Sequence, residues 1–129
     1  MSDKLLIIED NEQNFYLMRF LLEKNGFTII GAENGRKGIE MAISHKPQAI
    51  LLDIQLPEMD GYAVAAELKK HDELAGVPII AVTSYAMMGD REQILAAGAT
   101  AYIEKPIDPE TFVDEIVRHL PKNQGNKEK

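Results

Sequence analysis

Short, continuous apolar runs alternate along the chain with longer stretches in which apolar residues recur every three or four positions. The runs read as strands buried on both faces, the longer stretches as amphipathic helices. Leu5 to Ile8 is the first run and ends at Glu9-Asp10-Asn11. A helix is predicted from about Glu12 to Asn25, with Leu17, Met18, Leu21 and Leu22 inward and Gly26 as its stop. Phe27 to Ile30 predicts a second strand, and Arg36 to His45 a helix that buries Ile39, Ala42 and Ile43 before Pro47. Ala49 to Asp53 is the third strand. Gly61 to Lys70 is the third helix, with Val64, Ala65 and Leu68 on one face and a loop through Gly76 and Pro78 beyond. Ile79 to Val82 makes a fourth strand that ends at Thr83-Ser84, and Asp90 to Ala97 a weaker helix turned inward at Ile94 and Leu95. Ala99 to Ile103 is the fifth strand, followed by Lys105-Pro106. Asp108-Pro109 reads as an N-cap with proline at the first helical position. The last helix then turns Phe112, Val113, Ile116, Val117 and Leu120 inward.

Five strand–helix alternations predict an α/β fold: a doubly wound parallel sheet with helices on both faces and right-handed crossovers. Residues 1–121 form a single expected domain, and 122–129 a polar tail. In open sheets of this type ligands bind beyond the carboxyl ends of the strands, near the point where strand order reverses. Glu9, Asp10, Asp53, Thr83 and Lys105 all fall at such ends.

Composition narrows the function classes. The 129 residues are 45% hydrophobic and 27% charged, which fits a soluble globular chain and not a disordered one. A formal net charge of −7 removes the electrostatic attraction on which non-specific nucleic-acid binding rests, so neither nucleic acid nor an anionic membrane is expected as a direct partner. With no cysteine there is no disulfide, thiolate metal site or cysteine nucleophile. The apolar runs are too short for a signal peptide or a membrane span, and a cytoplasmic location is the expectation.

Singly, each strand-end residue has a plain structural role: Glu9-Asp10 favouring a helix N-terminus, Asp53 forming a turn, Thr83 packing in a strand, Lys105 as a solvated charge. Together at one sheet edge they make a chemical set. Three carboxylates repel unless a cation joins them, and magnesium takes hard oxygen ligands while keeping open positions. Asp10 and Asp53 are the expected direct ligands, with Glu9 acting through water. An ionised carboxylate can attack phosphorus to form an aspartyl phosphate, given a fixed cation such as Lys105 and a hydroxyl such as Thr83 on the phosphoryl oxygens.

These residues resemble the response-regulator receiver domain of two-component signalling: the acidic pair Glu9-Asp10, Asp53-x-x-x-Pro57 closing in Met59-Asp60-Gly61, Thr83-Ser84 and Lys105-Pro106, in that order, over Lys4 to Leu120. The phrases Glu9 to Glu12, Asp53 to Glu58 and Tyr85 to Asp90 are similar to DivK-like stand-alone regulators and to receiver modules of hybrid kinases. The resemblance implies a flavodoxin-like sheet of order 2-1-3-4-5 and phosphorylation of Asp53 by a phosphohistidine donor. It also implies Mg2+ held by Asp10, Asp53 and the Gln55 main-chain carbonyl, and phosphate contacts from Lys105, Thr83 and the Ser84 amide. A cis Lys105-Pro106 bond, a switch pairing Thr83 with Tyr102, and Gln55 and Tyr85 beside the path of hydrolytic water are implied too. With no output domain after Leu120, a regulator that signals by contact or relays its phosphoryl group is expected. The resemblance implies no enzyme activity beyond self-phosphorylation from a donor and slow loss of the phosphoryl group. The partners it implies are a sensor histidine kinase or histidine phosphotransfer protein and a downstream target. One departure is Glu9 where many members have Asp.

Phe15, Tyr16 and Phe20 lie outside the inward stripe of the first helix, and one face cannot bury them all; some of them are expected in a docking patch for the donor, the alternative being extra packing against the last helix or a dimer contact, and Pro106 and Ile107 are expected as further partner contacts. The alternative is an aspartate-nucleophile phosphatase of the haloacid-dehalogenase type. That class has a second acid where this chain has Gln55, and without it the leaving group lacks a general acid.

Overall fold

The structure is a computed structural model that describes residues 3–56, 58–84 and 88–120, with only the backbone for 88–91. The expected Pro121 helix stop, the tail, Pro57 and Tyr85 lie outside the described residues. Strands β1 (Lys4–Ile8), β2 (Thr28–Ala32), β3 (Ala49–Asp53), β4 (Ile79–Thr83) and β5 (Ala101–Glu104) form one parallel sheet in the order β2-β1-β3-β4-β5. Helices α1 (Glu12–Lys24), α2 (Gly35–His45), α3 (Gly61–Lys69), α4 (Met88–Ala96) and α5 (Phe112–His119) alternate with them, and a single 3-10 turn at Asp72–Leu74 follows α3.

Side chains alternate across the central strands and split the core in two. Leu6, Ile8, Ile50, Leu52, Ile79 and Ala81 meet α2, α3 and α4 through Ala42, Val64, Leu68 and Ile94. Leu5, Ile7, Leu51, Ile80 and Val82 meet α1 and α5 through Met18, Leu22, Phe112 and Ile116. All five residues of β3 and of β4 are buried, which is why these strands read as unbroken apolar runs. Strand β1 pairs with both β2 and β3, so the order reverses beside it and leaves a crevice at the carboxyl ends of β1 and β3.

Several boundaries and orientations differ from expectation. The second strand is Thr28–Ala32, not Phe27 to Ile30. Leu95 is 43% and Val117 49% exposed, so both face outward although periodicity assigned them inward. Asp108-Pro109 does not cap α5. The Asp108 carbonyl accepts hydrogen bonds from the Thr111 and Phe112 amides in a turn, its carboxylate accepts from Glu110 N–H, and the helix starts only at Phe112. Elsewhere Asn11, Asn34 and Asp60 cap α1, α2 and α3, each accepting from the amide three residues on.

Candidate functional site

Parallel pairing continues one residue past several strands and aims the polar groups. Glu9 N–H donates to the Ala32 carbonyl at 3.0 Å, Ile54 N–H to Val82 at 3.2 Å, and Lys105 N–H to Thr83 at 2.8 Å. Each bond ties the residue at or beside a strand end to its neighbour, so Glu9, Asp53, Thr83 and Lys105 arrive at one edge as a consequence of register. Lys105-Pro106 is a cis peptide bond, as the resemblance implies.

Glu9, Asp53 and Thr83 are 3%, 3% and 2% exposed, the described buried polar and charged residues of the chain. Lys105 Nζ lies 3.2 Å from Asp53 Oδ1 and 3.3 Å from Glu9 Oε1. The first contact is a hydrogen bond; the second has the distance of an ion pair without hydrogen-bond alignment, and Glu9 Oε1 accepts no hydrogen bond. Asp53 Oδ1 also accepts from the Gln55 amide at 3.1 Å, and Glu9 Oε2 from the Asn11 amide at 3.2 Å. The main chain therefore orients both acids before any ligand arrives.

Asp10 stands at the exposed rim, and one carboxylate oxygen each from Glu9, Asp10 and Asp53 lies within 4.8 Å of the others. Burial pushes the Glu9 carboxyl up to about 7, helped by the negative charge of Asp53 and by a side-chain hydrogen bond with it. Lys105 and the Asn11 amide oppose the rise without cancelling it. An acid cluster of this kind, with a buried carboxylate oxygen that accepts no hydrogen bond, fits a hard dication: the ion would supply the charge that one lysine leaves uncompensated.

The loop after Asp53 turns back at once. Gly61 N–H donates to the Ile54 carbonyl at 2.9 Å, and a Cβ on Gly61 would lie 2.5 Å from Ile54 Cα and 2.7 Å from the Asp53 carbonyl oxygen. Glu58 takes a left-handed φ of 66° in the same turn. In the sequence Gly61 reads only as the start of the third helix; the fold reveals the close backbone approach. The role of the Asn11 amide was also missed, though an asparagine before a helix is a readable N-cap signal.

Other expected site residues are placed as follows. Gln55 and Ser84 are exposed at the ends of their strands, and Tyr102 is half-buried against the α2/α3/α4 side of the core. Pro106 is exposed, but Ile107 is 7% exposed and packs with the α1/α5 side of the core, so it anchors its loop instead of presenting a surface to a partner. Phe15 is half-buried with its ring under Gly31, where a Cβ would lie 2.5 Å from it. Tyr16 and Phe20 remain 67% and 49% exposed, stacked at 6.2 Å between ring centroids, with Lys24 Nζ 5.8 Å from the Phe20 ring. Among the described residues, no helix is long and apolar enough to cross a membrane.

Comparison with known proteins agrees with this architecture. Residues 5–117 match the response regulator receiver domain model. The polar-differentiation response regulator DivK of Brucella anthropi is 45% identical over 120 residues, covering 93% of this chain and 98% of DivK. The receiver domain of sensor histidine kinase PA1611 from Pseudomonas aeruginosa, with a magnesium ion coordinated in its active-site cleft, superposes with a TM-score of 0.84 at 31% identity, over 92% of this chain and 97% of that one. The chemotaxis protein CheY4 of Vibrio cholerae shares the fold, with a TM-score of 0.89 at 23% identity over 93% of this chain and 100% of CheY4. With the strand order, the strand-end acids and this match over most of its length, the chain belongs to the response regulator receiver domain family and resembles its DivK-like members.

Proposed function

We propose that Asp53 accepts a phosphoryl group from a phosphohistidine donor. The observation that carries this reading is a nearly fully buried carboxylate, oriented by the Gln55 amide and set 3.2 Å from a lysine ammonium at the sheet edge. In the transfer an ionised Asp53 oxygen forms the new bond to phosphorus while the bond from phosphorus to the donor imidazole nitrogen breaks, and the imidazole leaves with that electron pair. No proton has to be removed from the nucleophile. Lys105 holds positive charge beside the phosphoryl oxygens, with the Thr83 hydroxyl and the Ser84 amide donating to them.

Asp10, Asp53 and the Gln55 main-chain carbonyl would hold Mg2+, with Glu9 acting through water. When bound, the ion supplies charge neutralisation for the phosphoryl oxygens. The acid cluster of Glu9, Asp10 and Asp53 supports that reading for this chain.

Phosphorylation then adds charge next to Thr83, and movement of Thr83 with reorientation of Tyr102 repacks the surface of α4, β5 and α5. A groove of about 600 Å³ between β5 and α5, lined in part by Tyr102, Pro106 and Glu115, lies on that surface. Signalling by contact, or onward relay, follows. The donor is a sensor histidine kinase or a histidine phosphotransfer protein in the cytoplasm, and the protein takes part as a phosphoryl carrier, not a turnover catalyst. The exposed Tyr16–Phe20 stack on α1 is the proposed docking point for the donor, and the exposed Gln55, two residues past the acceptor, is proposed to help set how long the phosphoryl group lasts.

Incubation with acetyl phosphate and MgCl2 tests the reading. Intact-mass measurement should show a gain of one phosphoryl group in the wild type and none in Asp53→Asn; an equal gain in the variant rules out Asp53 as the acceptor.

A further inference from the structure

The end of α3 carries three consecutive basic residues, Lys69, Lys70 and His71. Lys70 Nζ lies 3.5 Å from one Glu67 carboxylate oxygen and His71 Nε2 lies 3.8 Å from the other. Lys69, two positions on from Glu67, faces another way and takes no acid among the described residues. Its stem runs across Gly98, where a Cβ would lie 2.8 Å from Lys69 Cγ and 3.3 Å from Cε. Gly98 has a left-handed φ of 121°, so backbone conformation and close approach both call for glycine there. The helix dipole accounts for positive charge at the end of α3. It does not account for a lysine stem laid on a glycine beside an open cavity.

That cavity, of about 220 Å³, lies at the amino-terminal edge of β4 and β5 and is lined in part by Lys69, Gly76, Val77, Pro78, Thr100 and His119. None of its described lining residues is acidic, in a chain with 21 Asp and Glu against 14 Lys and Arg. Thr100 is fixed against the start of β4: its N–H donates to the Ile79 carbonyl at 2.7 Å, and its Oγ1 accepts from the Ile79 N–H at 3.2 Å. The hydroxyl proton is left for a ligand. A Cβ on Gly76 would meet nothing within 4 Å, so the space beside it is open. The volume is several times the ~30 Å³ of a water and below the roughly 300–1,000 Å³ of pockets for drug-sized ligands. Size and lining both call for a small anion.

We infer that this cavity binds a tetrahedral oxyanion of the size of phosphate, held by the Lys69 ammonium, the Thr100 hydroxyl and the His119 ring N–H. The three donors come from α3, the entry to β5 and the end of α5, so they approach from different sides. A phosphate offers an oxygen to each, whereas a carboxylate has only two. The acid cluster lies at the other edge of the sheet. The five residues of β4 set the two edges about 16 Å apart, at ~3.3 Å per residue, so an anion bound here leaves Asp53 open. None of the three donors belongs to the acid cluster, and the phosphoacceptor reading stands or falls apart from this site.

An NMR titration of the full chain with sodium phosphate tests the site, near neutral pH in EDTA and with ionic strength held constant by NaCl. The Gly76 and Thr100 amide resonances should move and saturate, with a dissociation constant on the order of a few millimolar, as a few charge-assisted hydrogen bonds at an open site would give. Lys69 is exposed and makes no ion pair among the described residues, so Lys69→Met should keep the fold. It should weaken binding about tenfold, and His119→Ala about threefold for the loss of one donor. Lys70→Met removes the same charge from the same turn, but its ammonium belongs to Glu67, and binding should stay within about twofold of wild type. Sodium acetate should bind at least about fivefold more weakly than phosphate. Shifts that never saturate overturn the site. Equal weakening by the two lysine variants reduces it to diffuse surface charge, and equal affinity for acetate removes the tetrahedral assignment; either result also overturns the inference.

Discussion

Glu9 couples stability to pH. Its folded-state pKa of about 7 lies above the ordinary value of 4.5, because burial and Asp53 penalise the ionised form. Between those values the native state holds more protons than the unfolded chain, so stability is highest below the ordinary pKa and falls as pH rises toward the folded one. Urea unfolding of the metal-free protein in EDTA should show a loss of at most about 3 kcal/mol across that interval. In Glu9→Gln the slope should largely vanish; a slope that persists there assigns the proton to another group. At this scale the polar site was readable in advance because each group directly follows an apolar run: Glu9 and Asp10 after Ile8, Asp53 after Leu52, Thr83 after Val82. Ile107 was not readable. An isoleucine between Pro106 and Asp108 has surface neighbours in sequence, and only tertiary packing with Phe112 and Ile116 takes it inside.

The β3–α3 connection shows how an element, and not a residue, sets the acceptor in place. Its tightness depends on Gly61, whose missing side chain lets the chain pass against Asp53 and Ile54 backbone. Gly61→Ala must move that backbone, and should cost about 1–3 kcal/mol in chemical denaturation while lowering the rate of labelling by acetyl phosphate. Gly76 is the control: a Cβ there meets nothing within 4 Å, so Gly76→Ala should be neutral or stabilising by up to about 1 kcal/mol. Equal costs at the two positions would mean that the close approach does not matter. The strongly periodic or unbroken segments, β1, β3, β4, α1 and α3, were legible because one rule governs them. Where rules compete, the reading slipped. Asp108-Pro109 satisfies the helix-start pattern, yet the Asp108 carbonyl closes a turn first and delays α5 to Phe112. On α4 and α5 the apolar spacing is wider than the face the sheet can cover, and Leu95 and Val117 are left outside.

For the whole molecule, alternation of strand and helix was enough to predict the parallel sheet, whereas the order of strands came from family resemblance, since no local pattern says which neighbour β1 takes. That order puts β1 beside β3, and so starts α1 next to the acid cluster, with Asn11 serving both as the α1 cap and as donor to Glu9. A protein that grips the outer face of α1 is thereby brought close to Asp53. Tyr16, Phe20 and Lys24 form that face at four-residue spacing, opposite the buried Met18 and Leu22. Because the two rings are mostly solvent-exposed, the pair Tyr16→Ala and Phe20→Ala should change unfolding free energy by less than about 1 kcal/mol. Labelling by acetyl phosphate, which needs no docking, should also be preserved. Transfer from a histidine-phosphorylated kinase or phosphotransfer protein should slow by about tenfold or more, as expected when aromatic anchors leave an interface. A transfer rate equal to that of the wild type, with the small-molecule reaction intact, would move the docking site off α1.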